Sequence, residues 1–145
     1  MQASLDHIKL NDKNRELRVQ RDELAREHRR LLKEVSKSFE EVIEESMGPV
    51  DEVRVGYTAQ EWRVLKNECR YRGLYSIMHG RCLTREMVEA VKEDIDGLRE
   101  YMESKDWQRD YEADERGELE KVPFKGVLSQ DGLYDLLEIV DRFLG

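Results

Sequence analysis

Residues 12–46 read DKNRELRVQRDELAREHRRLLKEVSKSFEEVIEES, a run without Gly or Pro built largely from residues that favour the helix. At about 1.5 Å per residue such a helix is about 50 Å long, so one element dominates the architecture before any other is placed. Leu10, Leu17, Leu24 and Leu31 recur every seven residues, the spacing of a coiled-coil seam. The alternate seam positions hold Asn14, Arg21 and His28, where a dimer prefers Val or Ile. After Leu31 the apolar face widens through Leu32, Val35, Phe39, Val42 and Ile43, a width suited to burial inside a bundle. The expectation is a coiled-coil-like N-terminal helical segment over 1–47, projecting at its start and packed at its end. Leu17, Leu24 and Leu31 form its candidate partner-binding stripe, which a protein partner or a second copy in a homodimer would cover.

The arginines of this helix do not make a nucleic-acid patch. Asp22 with Arg26, Glu27 with Arg30 and Glu34 with Lys37 stand at helical spacing, and such pairs describe a solvated face. The net charge is −8. Residues 101–145 hold 6 basic and 12 acidic groups, so that third supplies −6 of it. None of the three blocks 1–50, 51–100 and 101–145 is net basic, which argues against direct binding of nucleic acid, since binding needs cations to displace counterions from phosphate. With 40% charged and 39% hydrophobic residues, part of the chain is expected to stay in water or to meet another chain. No apolar run approaches a membrane span and the first thirty residues lack a signal-peptide core, so no membrane association and a cytoplasmic location are expected. Cys69 and Cys82 then read as reduced thiols.

Gly48-Pro49 ends the long helix. The stretch 50–57 alternates Val53, Val55 and Tyr57 with polar neighbours, a weak strand signal, and its one plausible partner is VPFKGVL at 122–128. Thr58 with Glu61 forms a capping-box pattern opening a second helix, with an apolar face of Trp62, Leu65, Cys69, Leu74 and Met78 and an end at His79-Gly80. Thr84 caps a third helix bearing Met87, Val88, Val91, Ile95, Leu98, Tyr101 and Met102. Ser129 caps the last, bearing Leu133, Leu136, Leu137, Val140, Phe143 and Leu144. The fold class is mainly α: a helical bundle in 48–145 joined to one long N-terminal helix, with at most a small two-stranded β-ribbon.

Between the last two helices lies DWQRDYEADERGE, residues 106–118, read as an acidic loop. Asp110, Glu112 and Asp114 match the first three ligand positions of an EF-hand. Glu115 stands where that loop needs Gly, and Lys121 where it needs a bidentate Glu. Zinc finds Cys69, His79 and Cys82 but neither a fourth ligand nor a close ligand pair. No phosphate-binding glycine loop or nucleophile elbow occurs, so no metal site, cofactor or catalytic residue is assigned.

The string DWQRDYEADERGEL followed by KGVLSQDGLYDLLE resembles family 4298 in the series of bacterial domains of unknown function. The match rests on Trp107, Asp110, Tyr111, Glu112, Ala113, Asp114, Glu115, Gly117 and Leu119, then Gly126, Val127, Leu128, Ser129, Asp131, Gly132 and Leu133, and covers roughly 85–145. Members often read L-P-K after the acidic stretch, where this chain has Leu119-Glu120-Lys121 and a later Pro123. The resemblance implies a helical, bacterial or phage-borne protein and no activity. It also implies a specified shape for the acidic stretch, with Trp107 and Tyr111 pinning it to the helices and Gly117 turning with φ > 0.

The function expected from these features is a non-enzymatic protein–protein interaction module. Its surfaces would be the stripe at Leu17, Leu24 and Leu31 and the acidic stretch at Trp107, Asp110, Tyr111, Glu112, Asp114 and Glu115, the latter suited to a basic, nucleic-acid-binding protein. One alternative is an acidic inhibitor of the anti-defence type that mimics nucleic acid. Another is a metal-dependent enzyme using Asp110, Glu112, Asp114 and Glu115.

Overall fold

The structure, a computed structural model, describes residues 2–80 and 83–145. Cys82 and the side chain of Val35, both given roles above, lie outside the described residues. The chain divides into two compact units, Met1–Glu34 and Val35–Gly145. The first unit consists of the helix α1, Gln2–Val35, as far as Glu34. Among its leucines, Leu10, Leu17 and Leu24 are 58%, 53% and 42% exposed.

The helix expected over 12–46 is two helices. α2, Phe39–Ser46, starts afresh because the Ser38 hydroxyl accepts from the Glu41 backbone N–H at 3.2 Å. A serine that caps in this way offers the backbone an alternative to continuing the helix. Phe39 and Ile43 of α2 are buried, and Phe39 meets Trp62 edge-on with ring centroids 5.1 Å apart. Gly48, at φ 119°, ends this segment.

Residues 50–57 form no strand. Pro49 precedes a short helix, α3 (Val50–Val55), with Asp51 and Glu52 in its first turn, where carboxylates favour the helix dipole. The segment paired with it in the sequence reading instead buries Val122 and tightens into a 3-10 turn at Gly126–Leu128. It offers no extended edge, and the described residues contain no strand.

α4, Ala59–Met78, opens with both halves of the capping box, Glu61 N–H to the Thr58 hydroxyl at 3.0 Å and Thr58 N–H to the Glu61 carboxylate at 2.8 Å. His79 closes it. Its buried stripe is Glu61, Val64, Asn67, Glu68, Leu74, Ile77 and Met78, while Trp62, Leu65 and Cys69 are only half-buried. The third helix is broken at Val91 into α5 (Arg85–Ala90) and α6 (Lys92–Glu103), yet keeps the expected face of Met87, Val88, Val91, Ile95, Leu98 and Tyr101 buried.

The acidic stretch is not a loop. Ser104 accepts from the Trp107 N–H at 3.3 Å and starts α7, Lys105–Glu115. Trp107, Asp110 and Ala113 follow at helical spacing and are buried. Gly117, at φ 73°, takes the positive φ expected of it and follows the end of α7. The Glu118 N–H then reaches the Ala113 carbonyl at 2.9 Å and the Gly117 N–H the Asp114 carbonyl at 3.0 Å, the two bonds of a Schellman ending. α8, Gln130–Leu144, is capped by Ser129 as expected and buries Leu133, Leu136, Leu137 and Val140. α4, α6 and α8 pack together around Val64, Leu98, Leu133 and Val140, each fully buried.

Truncating Leu98 in this core removes contacts that the helices on either side cannot refill. We expect Leu98→Ala to destabilise the protein by about 2–5 kcal/mol, read as a lowered urea midpoint.

Candidate functional site

The sequence motif that drew attention to residues 106–118 is divided between inside and outside by α7. Asp110 is fully buried, at 0% exposure. Arg63 grips it with two donors, Nε to Oδ2 at 3.0 Å and a terminal nitrogen to Oδ1 at 2.6 Å. Gln60 Nε2 adds a bond to Oδ1 at 3.0 Å and the Tyr101 hydroxyl one to Oδ2 at 2.5 Å. Four donors from α4 and α6 thus surround one carboxylate on α7, which is how a buried charge is made tolerable. The bonds to Asp110 hold the Arg63 guanidinium more firmly protonated than usual. Burial, and then the bond to Asp110, drive the Tyr101 hydroxyl far above its ordinary range, so it serves as a donor at any physiological pH.

Trp107, 9% exposed, donates from Nε1 to the Val127 carbonyl at 3.0 Å. Tyr111 stacks on it at 5.3 Å with an interplanar angle of 18°. The indole therefore pins α7 to the turn before α8, the role the resemblance implied. Asp114 pairs with Lys125 at 3.3 Å. Glu112 and Glu115 face solvent, with Gln108 donating to Glu112 at 3.4 Å and Tyr111 bonding to Glu115. Of the six side chains grouped by sequence as one surface, Trp107 and Asp110 belong to the interior and Glu112 and Glu115 to the exterior. No group of three His, Cys, Asp or Glu residues is placed to hold a metal among the described residues.

A second polar anchor was not visible in the sequence. Glu68, 4% exposed, accepts from the Gly126 N–H at 2.9 Å and the Val127 N–H at 3.1 Å. Burial pushes its carboxyl pKa up, against the pull of those two donors. Gly126 is required there by close approach, since a Cβ would stand 2.9 Å from the Tyr71 ring and 3.0 Å from the Glu68 carboxylate. Cys69 is half-buried, and burial raises its thiol pKa, which disfavours the nucleophilic thiolate. The His79 ring lies tilted against Tyr75, with centroids 4.2 Å apart. Gln60, Arg63, Glu68 and Tyr101 were missed because nothing in local spacing links them to Asp110 or Gly126. The one available signal was a glutamate and an arginine standing on what has to be the inner face of α4.

Residues 83–144 match the family described as a domain of unknown function (DUF4298), so the resemblance read from the two motifs holds for this part of the chain. No curated protein and no solved structure matches the chain. The matched segment supplies Asp110, Tyr101, Gly126 and Val127, while Arg63, Gln60 and Glu68 come from α4, outside it. We therefore expect residues 35–145 to unfold cooperatively and residues 83–145 alone to show no cooperative transition by circular dichroism.

Asp110→Asn would leave Arg63 facing a neutral acceptor in a buried site. The expected loss is about 3–5 kcal/mol in urea unfolding, whereas Glu112→Gln on the outer face of α7 should stay within about 0.5 kcal/mol.

Proposed function

We propose that this chain is a non-enzymatic protein-binding module of a bacterium or its phage, with α1 as the surface that docks the partner. The observation that supports this reading is a 34-residue helix whose leucines at 10, 17 and 24 remain exposed at seven-residue spacing. A narrow seam of this kind gains its stability when a second helix covers it. A partner helix and a second copy of α1 both meet that requirement. The mixed charges flanking the stripe would set orientation more than affinity.

The acidic face of α7 supports the other interaction surface less strongly than its sequence does. Asp110 is committed to Arg63, and Asp114 to Lys125, which leaves Glu112 and Glu115 to meet a basic partner. The same commitments thin the array that a nucleic-acid mimic would present and withdraw Asp110 from any metal-dependent chemistry. No helix among the described residues is long and apolar enough to cross a membrane.

Affinity capture with the full-length chain from its native host tests the proposal, with sedimentation velocity on the purified protein to detect self-association. A partner, or a dimer, that is lost in the double variant Leu17→Ala, Leu24→Ala and kept in Glu112→Gln, Glu115→Gln is the expected result. Capture and sedimentation unchanged by the leucine variant would overturn the reading.

A further inference from the structure

A groove of about 540 Å3 lies within the second unit, between the C-terminal half of α4 and the segment Phe124–Gly126. Tyr71, Arg72, Tyr75, Phe124 and Lys125 line it, with Glu68 at its floor. Two of its rings are held out to solvent, Tyr75 at 49% and Phe124 at 57% exposure. Tyr71 and Tyr75 lean together with centroids 6.2 Å apart. The Arg72 guanidinium lies over the Phe124 ring, 4.5 Å from its centroid.

The charges at this groove run against those of the molecule. In a chain of net charge −8, its two rim charges are the cations Arg72 and Lys125. Lys125 is fixed by the Leu119 carbonyl and Asp114, both at 3.3 Å. Arg72 is exposed and forms no ion pair among the described residues. The one carboxylate lining the groove, Glu68, is buried with its oxygens turned to the Gly126 and Val127 N–H groups. A planar guanidinium already stacked on a ring loses little freedom when it takes a carboxylate in its fork. Aromatic rings beside an arginine are also the composition that dominates binding energy at protein interfaces.

We propose that this groove binds a peptide segment of another protein in which an Asp or Glu stands next to a large apolar side chain. The carboxylate takes the fork of Arg72, and the apolar side chain lies between Phe124 and the Tyr71–Tyr75 pair. This surface belongs to the second unit and does not depend on the leucine stripe of α1. A second copy of the chain, itself acidic, is the rival occupant.

The test selects a random peptide library displayed on phage against the full-length protein, then measures the enriched peptides by fluorescence anisotropy. Enriched sequences should pair Asp or Glu with Phe, Trp, Tyr or Leu. Binding should weaken about tenfold or more in Phe124→Ala and in Arg72→Gln, the size of a hot-spot truncation, and should fall as salt rises. Both residues are exposed, so unchanged melting would show that these variants fold, and Leu17→Ala with Leu24→Ala should bind as the parent does. Enriched peptides without an acid, or binding equal in Phe124→Ala, Arg72→Gln and parent, would overturn the proposal. Self-association abolished by Phe124→Ala but not by the leucine variant would overturn it in favour of a second copy.

Discussion

The carboxylate of Asp110 and its four donors are what the helical unit depends on. A charge at zero exposure is costly unless its neighbours are arranged for it, and here the arrangement fixes three helices at once: Gln60 and Arg63 on α4, Tyr101 on α6 and Asp110 on α7. Apolar packing alone tolerates sliding of one helix along another by small steps. Directed bonds of 2.5–3.0 Å to a single carboxylate do not. The anchor therefore selects a register, while the buried leucines and valines around it supply most of the driving force.

Glu68, five residues beyond Arg63 on α4, works in the same sense. Its carboxylate closes the tight turn before α8 by taking two backbone N–H groups that would otherwise be buried without partners. Trp107 takes the Val127 carbonyl of the same turn. α4 and α7 thus hold one short segment from its donor side and its acceptor side. That segment also carries Phe124 and Lys125 to the groove at Arg72, so the geometry of a solvent-facing surface derives from interior polar bonds.

The boundary of the matched family and the boundary of the physical unit differ for this reason. The family segment, 83–144, begins after α4, yet α4 provides the donors to Asp110 and the acceptor for Gly126 and Val127. In the matched segment the glycines, aspartate and tryptophan stand in motifs that can be read from the sequence. Partners on a preceding helix leave no comparable trace, because a single arginine or glutamate in a charged chain carries no local signature.

Read from sequence, the caps at Thr58, Thr84 and Ser129, the turn at Gly117, the long helical start and the apolar faces of α6 and, as far as Val140, of α8 (Phe143 and Leu144, read as part of that face, are exposed) were legible, because each depends on contacts within a few residues. The break at Ser38, the helix at Val50–Val55 and the conversion of 105–115 from expected loop to α7 were not. In the last case eight charged residues within 105–116 read as solvent-facing loop, when a cap at Ser104 and an inward triad of Trp107, Asp110 and Ala113 make a helix of them. α4 misled in the opposite way: its buried stripe includes Glu61, Asn67 and Glu68, so the hydrophobic pattern pointed one step around the helix. The sequence by itself determined the helices that carry a clear apolar period and where most of those start and stop, since caps and periodicity are local, but not the helices at Val50–Val55 and Lys105–Glu115. Tertiary structure alone decided which charged side chains are inside, because a buried charge is stable only where distant donors converge on it.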